Sequence, residues 1–180
     1  MQSWLRLLLR PSHAYMGLSP GLDFETRLFY KPDAPERLEQ TFSRAAYHPG
    51  RVHLGSNTDP YQPAERTLRL TRRILEVFAR FRHPVSLITK SALVLRDVDI
   101  LQEMARQGLV KVYVSVTTLD RSLARAMEPR AATPERRLNA IEGLAAAGVP
   151  VGVGAAPIIP GLNDHELETV LQRAADAGAR

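Results

Sequence analysis

The sequence predicts an α/β protein built on a parallel sheet. Short β-branched apolar runs alternate with longer segments of helical periodicity, and this spacing implies parallel strands joined by right-handed crossovers. The 180 residues are 44% hydrophobic and 24% charged, which suits one domain with a sizeable core. An open doubly wound sheet and part of a βα barrel both fit. Because only four strands are visible, we predict a partial parallel βα barrel of about four βα units.

The predicted strands are short, β-branched, and mostly followed by polar residues, Gly or Pro: 52–55, 85–89, 110–116 and 151–155. A first helix is predicted over 33–46, before the first strand. Four later helices show apolar residues on one face, at Leu68, Ile74, Leu75, Phe78 and Phe81, at Val94, Ile100, Leu101 and Met104, at Leu138, Ile141, Leu144 and Ala145, and at Leu167, Val170, Leu171 and Ala174.

Capping patterns mark where these helices begin and end. Asp59-Pro60 followed by Gln62 predicts a helix start with Asp59 as its cap, and the same signal recurs at Thr133-Pro134 and Asn163-Asp164. Gly108 and Gly148 precede the next strands, where a helix end favours a left-handed residue.

The composition excludes several kinds of site. With no cysteine, the chain has no disulfide framework, no thiolate zinc site and no iron–sulfur cluster on its own thiolates. The five histidines show no metal-ligand spacing, so we assign no metal. The apolar run over 5–9 is too short to cross a bilayer, and we expect a cytoplasmic protein without membrane contact.

The net charge of +5 comes mostly from arginine. Arg66, Arg69, Arg73 and Arg80 lie close to one helix face without interleaved aromatic residues, so a solvated face is favoured over a nucleic-acid patch. Nucleic acid stays a weakly supported partner.

Polar residues collect after all four strands, where parallel βα folds bind ligands. They predict that the strand ends form a rim that binds a small polar molecule, and Lys90 is the strongest single candidate to contact it. A lysine at this place can neutralise a carboxylate, form a Schiff base, or simply extend its ammonium to water.

Five motifs in order carry a family resemblance: RPSHAYMG at 10–17, GSNTDPYQP at 55–63, ITKS at 88–91, SVTT at 115–118 and MEPR at 127–130. Together they resemble a radical S-adenosylmethionine subfamily similar to spore photoproduct lyase. The resemblance implies a small-molecule cofactor, S-adenosylmethionine, lying across the strand ends. It places the methionine amino group at Ser56, Asn57 and Thr58, the methionine carboxylate at Lys90, the ribose at Ser115, and the adenine along Gly154 and Ala155. Catalytic residues and substrate stay unassigned.

The chain departs from this family at its start. Members carry a CxxxCxxC loop, whose thiolates hold a [4Fe–4S] cluster, just before the stretch matching 10–15. Residues 1–10 are apolar and contain no cysteine. A one-base shift of their codons permits Cys-Ser-His-Gly-Cys-Val-Tyr-Cys-Tyr, so we hypothesise an out-of-frame reading of that loop.

We therefore divide the chain into 1–10, an apolar N-terminal segment, and 11–180, a partial barrel core of radical S-adenosylmethionine type without its first and last strands. We expect a chain that is inactive as written, although its intact relatives generate a 5′-deoxyadenosyl radical. A Schiff-base lyase using Lys90 and a non-catalytic binding fragment are the alternatives.

Overall fold

A computed structural model describes residue 17 and residues 29–180 of the protein. The segment over 1–10, with its proposed out-of-frame reading, and the motif at 10–17 up to Met16 lie outside the described residues. Within the described residues, every helix is too short or too polar to cross a bilayer.

The fold is a four-stranded, fully parallel sheet in the order β1-β2-β3-β4. The strands are β1 Val52–Leu54, β2 Val85–Thr89, β3 Val110–Ser115 and β4 Val151–Gly154. Each new strand is added beside the previous one. A doubly wound sheet reverses direction at a switch point, and the described sheet does not, so its order is that of a barrel segment. The predicted α/β class and the partial βα barrel are confirmed.

The helices lie mainly between the strands: α1 Ala34–Phe42, α2 Glu65–Leu68, α3 Leu70–Arg80, α4 Val98–Arg106, α5 Arg121–Met127, α6 Pro134–Ala146 and α7 Leu167–Asp176. Short 3-10 helices at Ala92–Asp97 and Asp164–Glu166 lead into α4 and α7. Helix α1 ends four residues earlier than expected, and α5 was not predicted. Gly108 and Gly148 do adopt left-handed conformations at helix ends, with φ of 68° and 75°.

The helix expected at Asp59 begins only at Glu65, which corrects the sequence-based start. Residues 60–64 form turns, and Arg69 has a left-handed φ of 47° that separates α2 from α3. This break turns Leu68 outward, so Leu68 is exposed rather than on the apolar face. Leu171 of α7 is likewise exposed, because Val170 and Ala174 alone face the core there.

The helices cover one face of the sheet. Val85 and Leu87 of β2 pair with Val110 and Val112 of β3, and these side chains are buried against the helices. Side chains alternate along a strand, so Ser86, Ile88 and Tyr113 lie on the other face, which in a barrel is the interior. There the ring of Tyr113 lies against β4, and a Cβ on Gly152 would come within 2.9 Å of it.

Helix α1 packs on α3 and on buried His83, which lies just before β2. The ring of Phe42 stacks on His83 with centroids 4.3 Å apart. The Tyr47 hydroxyl lies 2.7 Å from His83 Nε2, and His83 Nδ1 lies 3.0 Å from the Pro84 carbonyl oxygen. A neutral imidazole satisfies both contacts, because Nδ1–H donates to the carbonyl and Nε2 accepts from the hydroxyl.

Two of the four arginines expected on one helix face are paired with α1. Arg73 lies 2.6 Å from Glu36, and Arg80 lies 2.7 Å from Glu39. Of the other two, Arg66 lies in α2, before the break in the helix, and Arg69 is the residue at the break itself. The expected basic face is therefore interrupted and half neutralised.

Candidate functional site

Three predicted site residues form one row across the sheet. Thr89 pairs with Val114, and Ser115 pairs with Gly154. Lys90 follows Thr89 directly, so Lys90, Ser115 and Gly154 stand at one level at the carboxyl ends of β2, β3 and β4. All three belong to the interior face. The Lys90 side chain is 35% exposed, and the Ser115 side chain is largely buried.

The loop after β1 carries Ser56, Asn57 and Thr58, and all three are exposed. Gly55 sets the start of this loop with a φ of 96°, where a Cβ would lie 2.1 Å from the Ile88 carbonyl oxygen of β2. Only glycine permits this close approach of the two backbones. The loop is thereby placed beside the end of β2, next to Lys90.

Asp59 does not cap a helix. Its Oδ1 accepts hydrogen bonds from the Tyr61 amide at 2.8 Å and from the Thr89 hydroxyl at 2.7 Å. Its Oδ2 accepts from the Lys90 amide at 2.7 Å. Asp59 therefore joins the loop after β1 to the end of β2.

Lys90 contacts a carboxylate of its own chain. Its Nζ lies 2.6 Å from Glu128 Oε1, so the two groups form a close ion pair. The other carboxylate oxygen of Glu128 accepts from Arg137 at 2.5 Å. The Glu128 side chain is 8% exposed and that of Arg137 is 2% exposed. The three side chains form a partly buried ion triad under the rim.

The surroundings of this triad keep Glu128 ionised. Burial alone would raise the pKa of Glu128, but Arg137 and Lys90 outweigh it and hold the pKa below its ordinary value of 4.5. Two backbone carbonyl oxygens hold Arg137 in place. Its Nε donates to the Ala132 carbonyl at 2.7 Å, and its Nη1 donates to the Ser115 carbonyl at 3.0 Å. The triad is thus linked to the backbone of Ser115, the residue expected to contact the ribose.

The loop after β4 begins at Ala155, which is half-buried, and Ala156–Pro157 follows as a cis peptide. Buried Asn163 holds this loop. Its Oδ1 accepts from the Ile159 amide at 2.7 Å, and its Nδ2 donates to the Thr117 carbonyl at 2.7 Å and to the Pro157 carbonyl at 3.0 Å. Glu166 adds contacts to the Thr118 hydroxyl at 2.8 Å and to the Leu119 amide at 2.6 Å.

A charged cluster lies behind the first two rim loops. Arg96 donates to buried Asp97 at 2.7 Å and to Glu65, whose carboxylate also accepts from the Thr71 amide. The Tyr61 hydroxyl is buried beside Asp97 without a well-oriented partner. Burial first, and then the Asp97 charge, raise the pKa of Tyr61 far above its ordinary value. This cluster fixes the outer wall of the rim and presents no free nucleophile.

The donor set does not fit an iron–sulfur cluster, because the chain contains no cysteine. Among the described residues, no group of three His, Cys, Asp or Glu side chains could hold a metal ion. The row does fit a small ligand with a carboxylate and hydroxyls. The Ser115 hydroxyl makes no hydrogen bond within the described part of the chain, and Gly154 beside it carries no side chain.

Sequence reasoning placed Lys90, Ser115 and Gly154 at the strand ends but missed the residues that hold them. Glu128 was noted only within a motif and Asn163 only at a helix start, and neither Arg137 nor Glu166 was singled out. The available indication for Arg137 was that a charged residue occupies a position predicted to be buried, where it needs partners.

Comparison with known proteins gives a family. The sequence model of the radical SAM superfamily matches residues 19–174. An uncharacterised protein of Mycobacterium tuberculosis (strain H37Rv) is 37% identical over 172 residues, which is 94% of this chain and 51% of that protein. An uncharacterised protein of Methanocaldococcus jannaschii is 32% identical over 65% of this chain and 44% of its own. A protein of Acidianus two-tailed virus, also uncharacterised, is 34% identical over 71% of this chain and 42% of its own. The chain spans about half the length of the curated relatives it matches.

Proposed function

The chain belongs to the radical SAM superfamily, and from this premise we propose that it is an S-adenosylmethionine-binding core that lacks a cluster of its own. The observation that carries the proposal is the row of Lys90, Ser115 and Gly154 on one face at the carboxyl ends of adjacent strands. That position is where parallel βα folds bind their ligands.

Each end of the row suits one part of the cofactor. The Lys90 ammonium provides charge for the methionine carboxylate, and the exposed hydroxyl and amide groups of Ser56, Asn57 and Thr58 suit its amino group. The Ser115 hydroxyl is available to the ribose, and the absence of side-chain bulk at Gly154 and Ala155 suits a flat adenine. Because Lys90 is partly neutralised by Glu128, a ligand carboxylate would have to share or replace that contact.

We further propose that the chain does not cleave the cofactor reductively. In intact family members the cluster supplies the electron for this step, and this chain offers no thiolate to hold one. The finer likeness to spore photoproduct lyase, the out-of-frame origin of residues 1–10 and a cytoplasmic location are proposals of the same kind.

Calorimetric titration with S-adenosylmethionine tests the binding site. Lys90→Ala is expected to weaken binding by about tenfold or more, because a charge-assisted contact is lost. Lys111→Ala is the matched control. Lys111 lies on the same face of the sheet as Lys90, but on β3 and near the amino end of that strand. Equal affinities of the two variants would refute the site.

Anaerobic reconstitution with iron and sulfide tests the missing cluster. We expect no stable visible chromophore and no 5′-deoxyadenosine from the chain. A variant in which residues 1–10 are replaced by the nine-residue cysteine loop is the comparison. A cluster in the unmodified chain that produces 5′-deoxyadenosine would contradict the proposal.

The two alternatives gain little from the geometry. The Lys90 Nζ lies 2.6 Å from the Glu128 carboxylate and is engaged there instead of being free to attack a carbonyl carbon, so borohydride with a carbonyl substrate should trap no adduct at Lys90. A nucleic-acid surface on α3 is weakened by the Arg73 and Arg80 ion pairs.

A further inference from the structure

The same hydrogen-bond pattern occurs twice at the rim. In each copy a buried threonine donates its hydroxyl to a carboxylate from the loop of a neighbouring βα unit. The amide of the next residue donates to that same carboxylate, and the amide two residues on donates back to the threonine hydroxyl. We call this arrangement a rim clamp.

The Asp59 clamp joins the loop after β1 to Thr89-Lys90-Ser91. The Thr89 hydroxyl and the Lys90 amide both donate to Asp59 at 2.7 Å, and the Ser91 amide donates to Thr89 Oγ1 at 3.0 Å. The Ser91 hydroxyl then caps the following 3-10 helix. Thr89 is 2% exposed, so its hydroxyl is shielded from water.

The Glu166 clamp joins the loop after β4 to Thr118-Leu119-Asp120. The Thr118 hydroxyl donates to Glu166 at 2.8 Å, the Leu119 amide at 2.6 Å, and the Asp120 amide to Thr118 Oγ1 at 3.0 Å. Asp120 then caps α5. Thr118 is 1% exposed. The two clamps thus share their contacts, their burial and the role of their third residue.

The clamps lie on opposite sides of the row. The Asp59 clamp fixes Ser56–Thr58 and the backbone of Lys90, on the side proposed for the methionine end. The Glu166 clamp, with Asn163, fixes the loop after Ala155, on the side proposed for the adenosine end. Neither carboxylate is placed to contact the ligand. Asp59 accepts from two backbone amides and the Thr89 hydroxyl, and Glu166 accepts from the Leu119 amide and the Thr118 hydroxyl.

We infer that Asp59 and Glu166 are positioning residues that set the two halves of the ligand site independently, the first for the amino-acid end and the second for the nucleoside end. This inference rests on the proposed S-adenosylmethionine site and deepens it. Misplacing a binding group by about 1 Å is enough to lose an oriented contact, so loosening one clamp should affect only the half that it holds.

Matched variants at equivalent positions test this inference. Thr89→Val and Thr118→Val remove the same hydroxyl from the two clamps with nearly unchanged volume. The probes are S-adenosylmethionine and 5′-methylthioadenosine, which keeps the adenine and ribose but lacks the amino-acid end. Thr89→Val should weaken S-adenosylmethionine by about tenfold and leave methylthioadenosine unchanged, whereas Thr118→Val should weaken both by a similar factor.

A second measurement needs no ligand. Amide hydrogen exchange of Lys90 should accelerate in Asp59→Asn and not in Glu166→Gln, and exchange of Leu119 should show the reverse, because each amide donates to only one of the two carboxylates.

The outcomes separate the inference from the proposed function. If the unsubstituted chain binds neither probe, both are refuted. If it binds S-adenosylmethionine but the two valine variants lose both probes equally, or lose neither, the ligand site stands and the independent positioning is wrong. General destabilisation would lower both affinities in both variants, so it cannot imitate the expected split.

Discussion

Replacing Arg137 with leucine should destabilise the fold strongly. Its side chain is 2% exposed and donates to Glu128 and to the carbonyl oxygens of Ala132 and Ser115. Leucine leaves the Glu128 carboxylate with Lys90 alone and leaves both carbonyls without this donor. Removing one partner of a buried ion pair costs about 3–5 kcal/mol. Because Lys90 still compensates part of the charge, we expect a loss of about 4 kcal/mol in the free energy of unfolding.

Urea unfolding followed by circular dichroism measures this loss. With a slope of about 2 kcal/mol per molar, the midpoint should fall by about 2 M. Arg136→Leu is the matched control, because Arg136 is the exposed neighbour on the same helix and should change stability by less than about 0.5 kcal/mol.

The double variant Arg137→Leu with Glu128→Leu makes the reasoning sharper. Removing both charges avoids an uncompensated buried carboxylate, so the double variant should be more stable than Arg137→Leu by about 2 kcal/mol. The reasoning is refuted if Arg137→Leu matches Arg136→Leu, or if the two single losses add in the double variant.

Three further predictions concern stability. The pKa of Glu128 is lowered in the folded chain. The Glu128 charge therefore stabilises the fold above the ordinary pKa of 4.5, and this contribution is lost as the pH falls through the folded pKa. Between pH 6 and 3 the thermal midpoint should fall less in Glu128→Gln than in the unsubstituted chain, and equal slopes of the midpoint against pH would contradict this. Tyr47→Phe removes the hydroxyl that satisfies His83 Nε2 and should cost about 1 kcal/mol in urea unfolding, with no change pointing to another partner for His83. Arg82 has a left-handed φ of 51° after α3, so Arg82→Gly should stabilise the chain by about 0.5–1 kcal/mol, whereas a loss would show that the Arg82 side chain matters more than its backbone.

The strand positions could be predicted from the sequence because β-branched runs and helix-end glycines are local features. Val85–Thr89 was located to the residue, and Gly108 and Gly148 end their helices as expected. The placement of Lys90 and Ser115 on one rim followed from topology, since parallel strands present their carboxyl ends together, whereas Gly154 was named only because the family resemblance implied it.

The contacts that organise this rim could not be predicted, because they join residues far apart in the chain. Asp59 meets Thr89 across 30 positions, and Glu166 meets Thr118 across 48. Locally, Asp59-Pro60 has the pattern of a helix cap, and nothing in the neighbouring residues shows that its carboxylate is taken by the next strand. Because Asp59 bonds to the next strand instead of capping a helix, the start of α2 at Glu65 could not be predicted either.

The rim clamps also bear on the order in which this chain can assemble. Asp59 reaches Thr89 and Lys90 only when the next βα unit has docked, and Thr118 finds its carboxylate only when the loop after β4 has formed. A single strand–helix unit therefore cannot hold a finished rim loop by itself. Each loop becomes ordered when the neighbouring βα unit docks. A ligand that needs both halves of the row can therefore bind only to chains in which all four units have come together.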